Sequence, residues 1–153
     1  MRRVIGVIFW LWWVLVVMGS FAYAQQDAKG CKDHPLFTRL PNTYISECKF
    51  NEFEAREWPD PETQGKTKVR VEGKYYFLLH YNQKEYQGKR SDLQVSRNYS
   101  NAMKKIGASV YEARDDQTYM RLLKDGKEIW AYVSSYRGDQ IRVEIIEKEV
   151  MRQ

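Results

Sequence analysis

The chain has little of what most often announces a chemistry. Its 153 residues include only two cysteines and two histidines, so a zinc site built from repeated C-x-x-C or H-x-x-x-H ligand pairs lacks its material. No serine stands in a G-x-S-x-G elbow and no glycine-rich loop opens a helix, which removes the common hydrolase and nucleotide-binding templates. Internal repeats and low-complexity tracts are absent. Neither sign of charge dominates: 25 basic residues face 20 acidic ones, a formal net charge of +5. The most basic stretches, 66–74 and 84–97, are interrupted by Glu72, Glu85 and Asp92. That pattern suits a solvated face and excludes the continuous basic stripe of a nucleic-acid binder.

What is present starts at the N-terminus. Arg2 and Arg3 precede an apolar run from Val4 to Met18, broken only by Gly6, and Ser20 and the small-x-small triplet Ala22-Tyr23-Ala24 follow. This is the anatomy of a secretory signal peptide, with cleavage expected after Ala24. The run of about 15 apolar residues is shorter than the ~20 that a spanning helix needs. Trp10, Trp12 and Trp13 would also suit an anchor, and a retained segment would make the protein an inner-membrane-tethered periplasmic domain. Without residues 1–24, which carry two of the 25 basic residues and none of the 20 acidic ones, the net charge falls from +5 to +3. What remains has the length of a single domain with one good core.

Export gives meaning to the only two cysteines. In an oxidising compartment Cys31 and Cys48 are expected to pair, contributing on the order of 3 kcal/mol by loop closure. A second reading is a metal site, because Cys31 and His34 have C-x-x-H spacing with Cys48 nearby, although only three ligands are in view. Free thiols are a third. Gly30-Cys31 has the look of a lipobox, but Lys29 and the distance from the apolar run exclude lipidation.

Residues 25–42, rich in Gln, Asp, Lys, Gly and Pro, read as an extended lead-in, and 43–153 as a single α+β domain. Thr43–Phe53 alternates as a strand, with Tyr44, Cys48 and Phe50 on one face. The run from Trp58 to Lys66 reads as a loop. A long strand, Thr67–Tyr81, places Val69, Val71, Tyr75, Phe77, Leu79 and Tyr81 on one face and Arg70, Glu72, Lys74 and His80 on a wet one. Gly73 within it marks a bulge or a close backbone approach. Ser91 as N-cap, Asp92 in the first turn and Gly107 as the stop define a helix over about 91–106, with Val95, Tyr99, Ala102, Met103 and Ile106 as its apolar stripe. A short strand over Ala108–Ala113 follows. Asp125-Gly126 between Thr118–Lys124 and Lys127–Ser135 is a type I′ hairpin signal. Arg137-Gly138-Asp139 makes the next reversal. The last strand, Gln140–Val150, puts Ile141, Val143 and Ile145 on one face. The sum is an antiparallel sheet of about five to seven strands with one main helix on one face.

Few residues suggest catalysis. His34 and His80 are the acid–base candidates, but the lead-in and the wet face keep them apart. Glu47, Glu52, Glu54 and Glu57 suit a solvated strand edge, and Asp115-Asp116 a turn. Arg137-Gly138-Asp139 spells an adhesion tripeptide that a hairpin reversal explains equally well. Asn98-Tyr99-Ser100 spells a glycosylation acceptor that falls in mid-helix. The aromatic content is more telling, since ten of the 11 tyrosines lie beyond residue 24. Tyr75, Tyr76 and Tyr81 on one strand, with Tyr132 and Tyr136 on another, suit a binding surface because tyrosine combines contact area with a polar tip.

The lead-in Asp27-x-Lys29-Gly30-x-Lys32-Asp33-His34-Pro35, followed by Arg39-x-Pro41, resembles the start of a domain of unknown function in Gram-negative envelope proteins. That domain commonly precedes an OmpA-like peptidoglycan-binding domain. The similarity resumes at Val71-Glu72-Gly73-Lys74, at Arg97-Asn98-Tyr99 with Ala102, and from Ile145-Ile146-Glu147 to Met151. It implies a periplasmic or outer-membrane-associated module and brings no catalytic residues. The OmpA-like domain is not in this chain, so peptidoglycan binding is not carried over. Cys31 also stands where the resemblance leads one to expect serine.

The resulting expectation is an exported, non-enzymatic binding or structural module without cofactor or metal. Its partner would be an envelope protein or cell-wall component, with the membrane met only during export. A small secreted hydrolase using His34 or His80 is the competing expectation. The first residue is directly measurable: the intact mass of protein purified from cells should correspond to a chain starting at Gln25, and a mass retaining residues 1–24 would establish the tethered form.

Overall fold

The computed structural model describes residues 24–148. The leader expected over 1–24 lies outside them except for Ala24, as do the last two residues of the expected final strand. The elements are β1 (Thr43–Pro59), a single 3-10 turn (Pro61–Thr63), β2 (Lys68–Asn82), α1 (Asp92–Lys105), β3 (Ser109–Arg114), β4 (Gln117–Lys124), β5 (Lys127–Tyr136) and β6 (Gln140–Lys148). The strands form one six-stranded sheet in the order β1-β2-β6-β5-β4-β3, and every neighbouring pair is antiparallel. The chain is therefore α+β. It crosses through α1 to the far edge of the sheet, then meanders back until β6 closes against β2.

Local chemistry explains the punctuation. Asp125 and Gly126 adopt φ values of 53° and 73°, and Lys124 faces Lys127 across the turn, as a two-residue hairpin with a right-handed strand twist demands. Ser91 caps α1 in a capping box with Gln94, and Lys104 and Lys105 occupy its last turn, where they oppose the partial negative charge of the exposed carbonyls. Gly107 takes φ 90° just past the helix. The buried face of α1 is Val95, Ser96, Tyr99, Ser100 and Met103. Ala102 is exposed and Ile106 is 44% exposed, so the stripe is rotated from the one expected. Two hydroxyls cause the rotation. Ser96 hydrogen-bonds Thr118, and Ser100 Oγ donates to Glu112 Oε1 at 2.9 Å, so the small polar side of the helix faces the strands.

Apolar residues gather in two clusters. The larger joins Val95, Tyr99 and Met103 to Ile45, Leu78, Met120, Val133, Ile141, Val143 and Ile145, with Cys31, Leu36, Phe37 and Leu40 of the lead-in packed against it. Ile141, Val143 and Ile145 thus share one face, as their spacing predicts. The smaller cluster comprises Trp58, Val71, Tyr75, Trp130 and Ile146, flanked by Val69, Phe77, Tyr119 and Tyr132. It lies on the opposite face, by the alternation of side chains along each strand.

Three expectations are corrected by backbone irregularities. β1 does not stop at Phe53: it continues to Pro59, and Trp58, expected in a loop, is a strand residue only 6% exposed. A bulge between Ile45 and Glu47 inserts one residue and inverts the alternation, so Ile45 rather than Tyr44 shares the face of Cys48 and Phe50. The third correction concerns β2, which changes its buried side part-way. Val71, Gly73 and Tyr75 are buried in its first half, Leu78 and His80 in its second. His80 therefore does not point into water; it is 3% exposed.

The switch on β2 falls between Tyr75 and Leu78, just past Gly73. Among the described residues the β2–β6 ladder begins at Gly73, opposite Lys148, and β1 carries a second bulge between Asn51 and Glu54, directly across from it. A Cβ at Gly73 would collide with the main-chain carbonyl of Glu147. Beyond this point β1 and β2 continue as a two-stranded arm whose tip meets the far strands. Arg121 pairs with Glu62 at 2.9 Å, and Gln64 Nε2 donates to the Val110 carbonyl at 3.1 Å. The arm has curled over the sheet and covers Trp130 with Trp58. Gly73→Ala should lower stability by about 1–3 kcal/mol, the usual cost of forcing a methyl group into filled space; the urea unfolding midpoint reads it, and an unchanged midpoint contradicts the packing described.

Candidate functional site

Two places concentrate polar side chains. The first lies under the lead-in. The Arg39 guanidinium donates to both carboxylate oxygens of Asp27 at 2.6 and 2.7 Å and to Asp33 Oδ2 at 2.6 Å. Asp27 Oδ1 also accepts the main-chain N–H of Ile45 at 2.8 Å, and Ala28 N donates to the Ile45 carbonyl at 2.8 Å. The lead-in thereby occupies part of the outer edge of β1. The arginine beside it holds the Asp27 carboxyl below its usual range. Asp27 in turn holds Arg39 more firmly protonated.

Both histidines enter this network, so the lead-in and β2 bring together two residues that the sequence kept apart. His80 Nε2 donates to Asp33 Oδ1 at 2.9 Å, while its Nδ1 is buried without a partner. His34, 6% exposed, donates from Nε2 to Glu147 Oε1 at 2.9 Å and accepts the Leu36 N–H at Nδ1 at 3.1 Å. The two rings line one small space of about 10 Å³, together with Asp33, Phe37, Arg39 and Tyr99. That volume holds one water-sized molecule at most. Burial pushes the His80 pKa down from 6.5, against the opposing pull of Asp33. Cys31 and Cys48 form a disulfide, with Cα atoms 5.7 Å apart. The bond takes both sulfurs, and Glu147 takes His34 Nε2, so the three-ligand metal alternative is overturned. Among the described residues no group of three or more His, Cys, Asp or Glu side chains is placed to hold a metal ion.

The second place is the sheet face opposite α1. Strand registers align side chains there in rows across the sheet. One row runs Tyr111, Tyr119, Tyr132, Glu144, Phe77, Lys49 and the next Gln117, Ser134, Arg142, Leu79, Glu47; a third joins Tyr136, Gln140, Tyr81 and Tyr44. Tyr119 and Tyr132 stack at 4.8 Å, Tyr111 continues the stack at 6.4 Å, and Trp58 of the curled arm approaches both Tyr119 and Tyr132 at 6.4 and 6.3 Å. At the arm's end the face is closed. Tyr75 donates its hydroxyl to the buried Glu144 at 3.0 Å, and Arg56 lies over the Tyr75 ring at 4.6 Å. Burial first, and the Glu144 charge second, push Tyr75 up to about 12.

Beyond Tyr132 the face opens into a groove of about 340 Å³ lined by Asp116, Gln117, Tyr132, Ser134, Ser135, Tyr136, Gln140 and Arg142. Tyr136 is 60% exposed and carries the Arg137 guanidinium over its ring at 5.2 Å. Arg142 is exposed and makes no ion pair among the described residues. Of the five tyrosines singled out from the sequence, Tyr132 and Tyr136 line the groove, Tyr81 shares its face, and Tyr75 is enclosed beneath the arm. Tyr76 lies on the other side, packed against His34 at 4.7 Å and Phe50 at 5.0 Å. Sequence reasoning passed over Gln117, Ser134, Gln140 and Arg142. The available signal was their alternation with buried neighbours such as Thr118, Val133, Ile141 and Val143.

The motif-like tripeptides are accounted for structurally. Arg137 and Gly138 take φ values of 56° and 64° in the β5–β6 turn, the Gly138 N–H donates to Asp92 Oδ1 at 2.8 Å, and Asp139 Oδ1 accepts from Asn82 N at 3.3 Å. In Asn98-Tyr99-Ser100 the last two residues are buried. Compared with known proteins, the chain matches no family model and no curated protein.

The buried neutral His80 sets a pH dependence. Because its folded pKa lies below 6.5, the unfolded chain takes up a proton there before the folded one does. Its contribution is complete above about pH 6.5 and is lost as the pH falls through the folded value. Urea midpoints should therefore drop between pH 7 and pH 5 in the wild type and drop less in His80→Gln, which removes the titrating ring; equal slopes in the two proteins would rule out this assignment.

Proposed function

We propose that the chain is an exported cell-envelope binding module without catalytic activity, and that the groove-bearing sheet face is its contact surface. Its partner is an envelope protein or a cell-wall component in the periplasm or at the outer membrane. The observation that carries this reading is the alignment of Tyr81, Tyr132 and Tyr136 on the face that holds the open groove. Rigid aromatic side chains with polar tips on a paired sheet present contact area at low entropic cost. The signal-like N-terminus supports the address, and a disulfide between the only two cysteines is at home in an oxidising compartment. The resemblance of the lead-in to an OmpA-associated envelope domain supports it further, and the residues that carry the resemblance include Asp27, Asp33, His34 and Arg39, the network that pins the lead-in to the sheet.

The competing hydrolase needs an imidazole that reaches substrate. His34 and His80 are 6% and 3% exposed, each engaged by a carboxylate, and the space between them has room for no substrate. A photoactivatable benzoylphenylalanine at position 136 should form an adduct with an envelope component in cells, whereas the same group at Leu93 on the opposite side should not. Equal labelling from both positions, or none from position 136, would remove the sheet face as the contact surface.

A further inference from the structure

The groove has a composition that narrows its ligand, and this step rests on the binding-module reading above. No aliphatic side chain lines it, which disfavours an acyl chain or an apolar peptide. Its floor is formed by β4, β5 and β6, each already paired on both sides. An incoming peptide strand therefore finds no free main-chain N–H or C=O for strand addition. Recognition has to come from side chains alone. Those present are two phenol rings, the hydroxyl of Ser134, the carboxamides of Gln117 and Gln140, and one guanidinium; the Ser135 hydroxyl is buried and donates to Asp92. Hydroxyls and carboxamides both donate and accept, which matches a ligand covered with hydroxyl groups. Phenol rings offer flat faces to the C–H side of a sugar ring. The volume, about 340 Å³, sits at the small end of small-molecule sites.

Arg142 adds a charge requirement. Glu144 in the neighbouring row is already engaged by the Tyr75 hydroxyl at 3.0 Å and by Arg56 at 3.8 Å, and Glu47 in its own row by Lys49 at 3.2 Å. The Arg142 guanidinium lies over the Phe77 ring at 5.8 Å, which leaves its fork of donors for something else. A guanidinium binds a planar carboxylate through two parallel hydrogen bonds. Asp116 lines the groove as well, but from β4's end of it, two strands and roughly 10 Å across the sheet. There it can accept from sugar hydroxyls without competing for Arg142.

We infer that the groove is a saccharide site for an acidic glycan, with a sugar carboxylate paired to Arg142 and the ring held between Tyr132 and Tyr136. The test is an amide-resolved NMR titration of the protein, in the form cells accumulate, with trigalacturonic acid and with its methyl ester. The free acid should shift the signals of Ser134, Tyr136, Gln140 and Arg142 saturably, and the ester should bind roughly tenfold more weakly, the loss expected for one charge-assisted pair. Arg142→Gln should bring the acid down to the level of the ester, and Tyr136→Ala should weaken both ligands. Both side chains are exposed, and the dispersion of the amide spectrum confirms that each variant is folded. Equal binding of acid and ester would overturn the carboxylate assignment, and no binding of either would overturn the saccharide site. A protein adduct from position 136 alongside no saccharide response leaves the binding-module reading standing and replaces the glycan with a protein. Loss of both signals ends the two together.

Discussion

The contact between Gly73 and the main chain of Glu147 decides the shape of this molecule. From that point onward β2 is an interior strand flanked by β1 and β6, with its second-half side chains Leu78 and His80 turned to the helix side. On the other side of it the β1–β2 arm is free to bend, because a glycine and an opposed bulge relax the ladder there. Bending carries Trp58 over Trp130, Tyr119 and Tyr132 and creates a second apolar cluster on the face that would otherwise be wet. One sheet thus holds two cores, on opposite faces. The groove is the part of the second face that the arm does not reach.

The lead-in performs the corresponding task on the helix side. It has no regular secondary structure, so its main-chain groups and apolar residues need anchors that a strand would obtain from a ladder. Arg39 supplies them by gripping Asp27 and Asp33 at once, the disulfide fixes Cys31 to β1, and Leu36, Phe37 and Leu40 then cover the end of the larger cluster. His34 and His80 fit this plan as buried hydrogen-bonding groups. Their carboxylate partners come from opposite ends of the described chain, Asp33 for His80 and Glu147 for His34. Titratable residues that look catalytic when counted are here part of a clamp.

The sequence reveals features whose cause is local. The Asp125-Gly126 turn, the Ser91 cap with its Gln94 reciprocation and the alternation of Ile141, Val143 and Ile145 depend on a few neighbouring residues, and each is readable without the fold. The tight approach at Gly73 is readable for the same reason. The features that escape are those in which one added residue reverses a long pattern. The bulge at Ser46 exchanges Tyr44 for Ile45 on the core face, and nothing in Tyr44-Ile45-Ser46-Glu47 announces it. The change of buried side along β2 is hidden because Tyr75, Tyr76, Phe77, Leu78 and Leu79 are all apolar or aromatic, so either phase fits. The candidate groove is least legible of all, since Gln117, Ser134, Gln140 and Arg142 come from three strands and are ordinary surface residues until the register aligns them.

The arm and the groove meet on β6. Arg142 and Glu144 alternate with buried residues and project from the same face, about 7 Å apart along the strand, a spacing at which opposite charges on an exposed sheet would partly neutralise each other. Folding of the arm prevents this. It carries Arg56 toward Glu144 and buries the Tyr75 hydroxyl against it, placing the carboxylate at 9% exposure under a lid of aromatic rings. Engagement of Glu144 by the arm's own cation then leaves Arg142, which lines the groove and lies over the Phe77 ring at 5.8 Å, without a carboxylate partner among the described residues. A close backbone contact at a glycine is in this way coupled to the charge of a surface more than one strand away. The coupling has a direction: any change that straightens the arm exposes Glu144 and gives Arg142 an internal partner, so the groove's preference for an anion depends on the bend at Gly73.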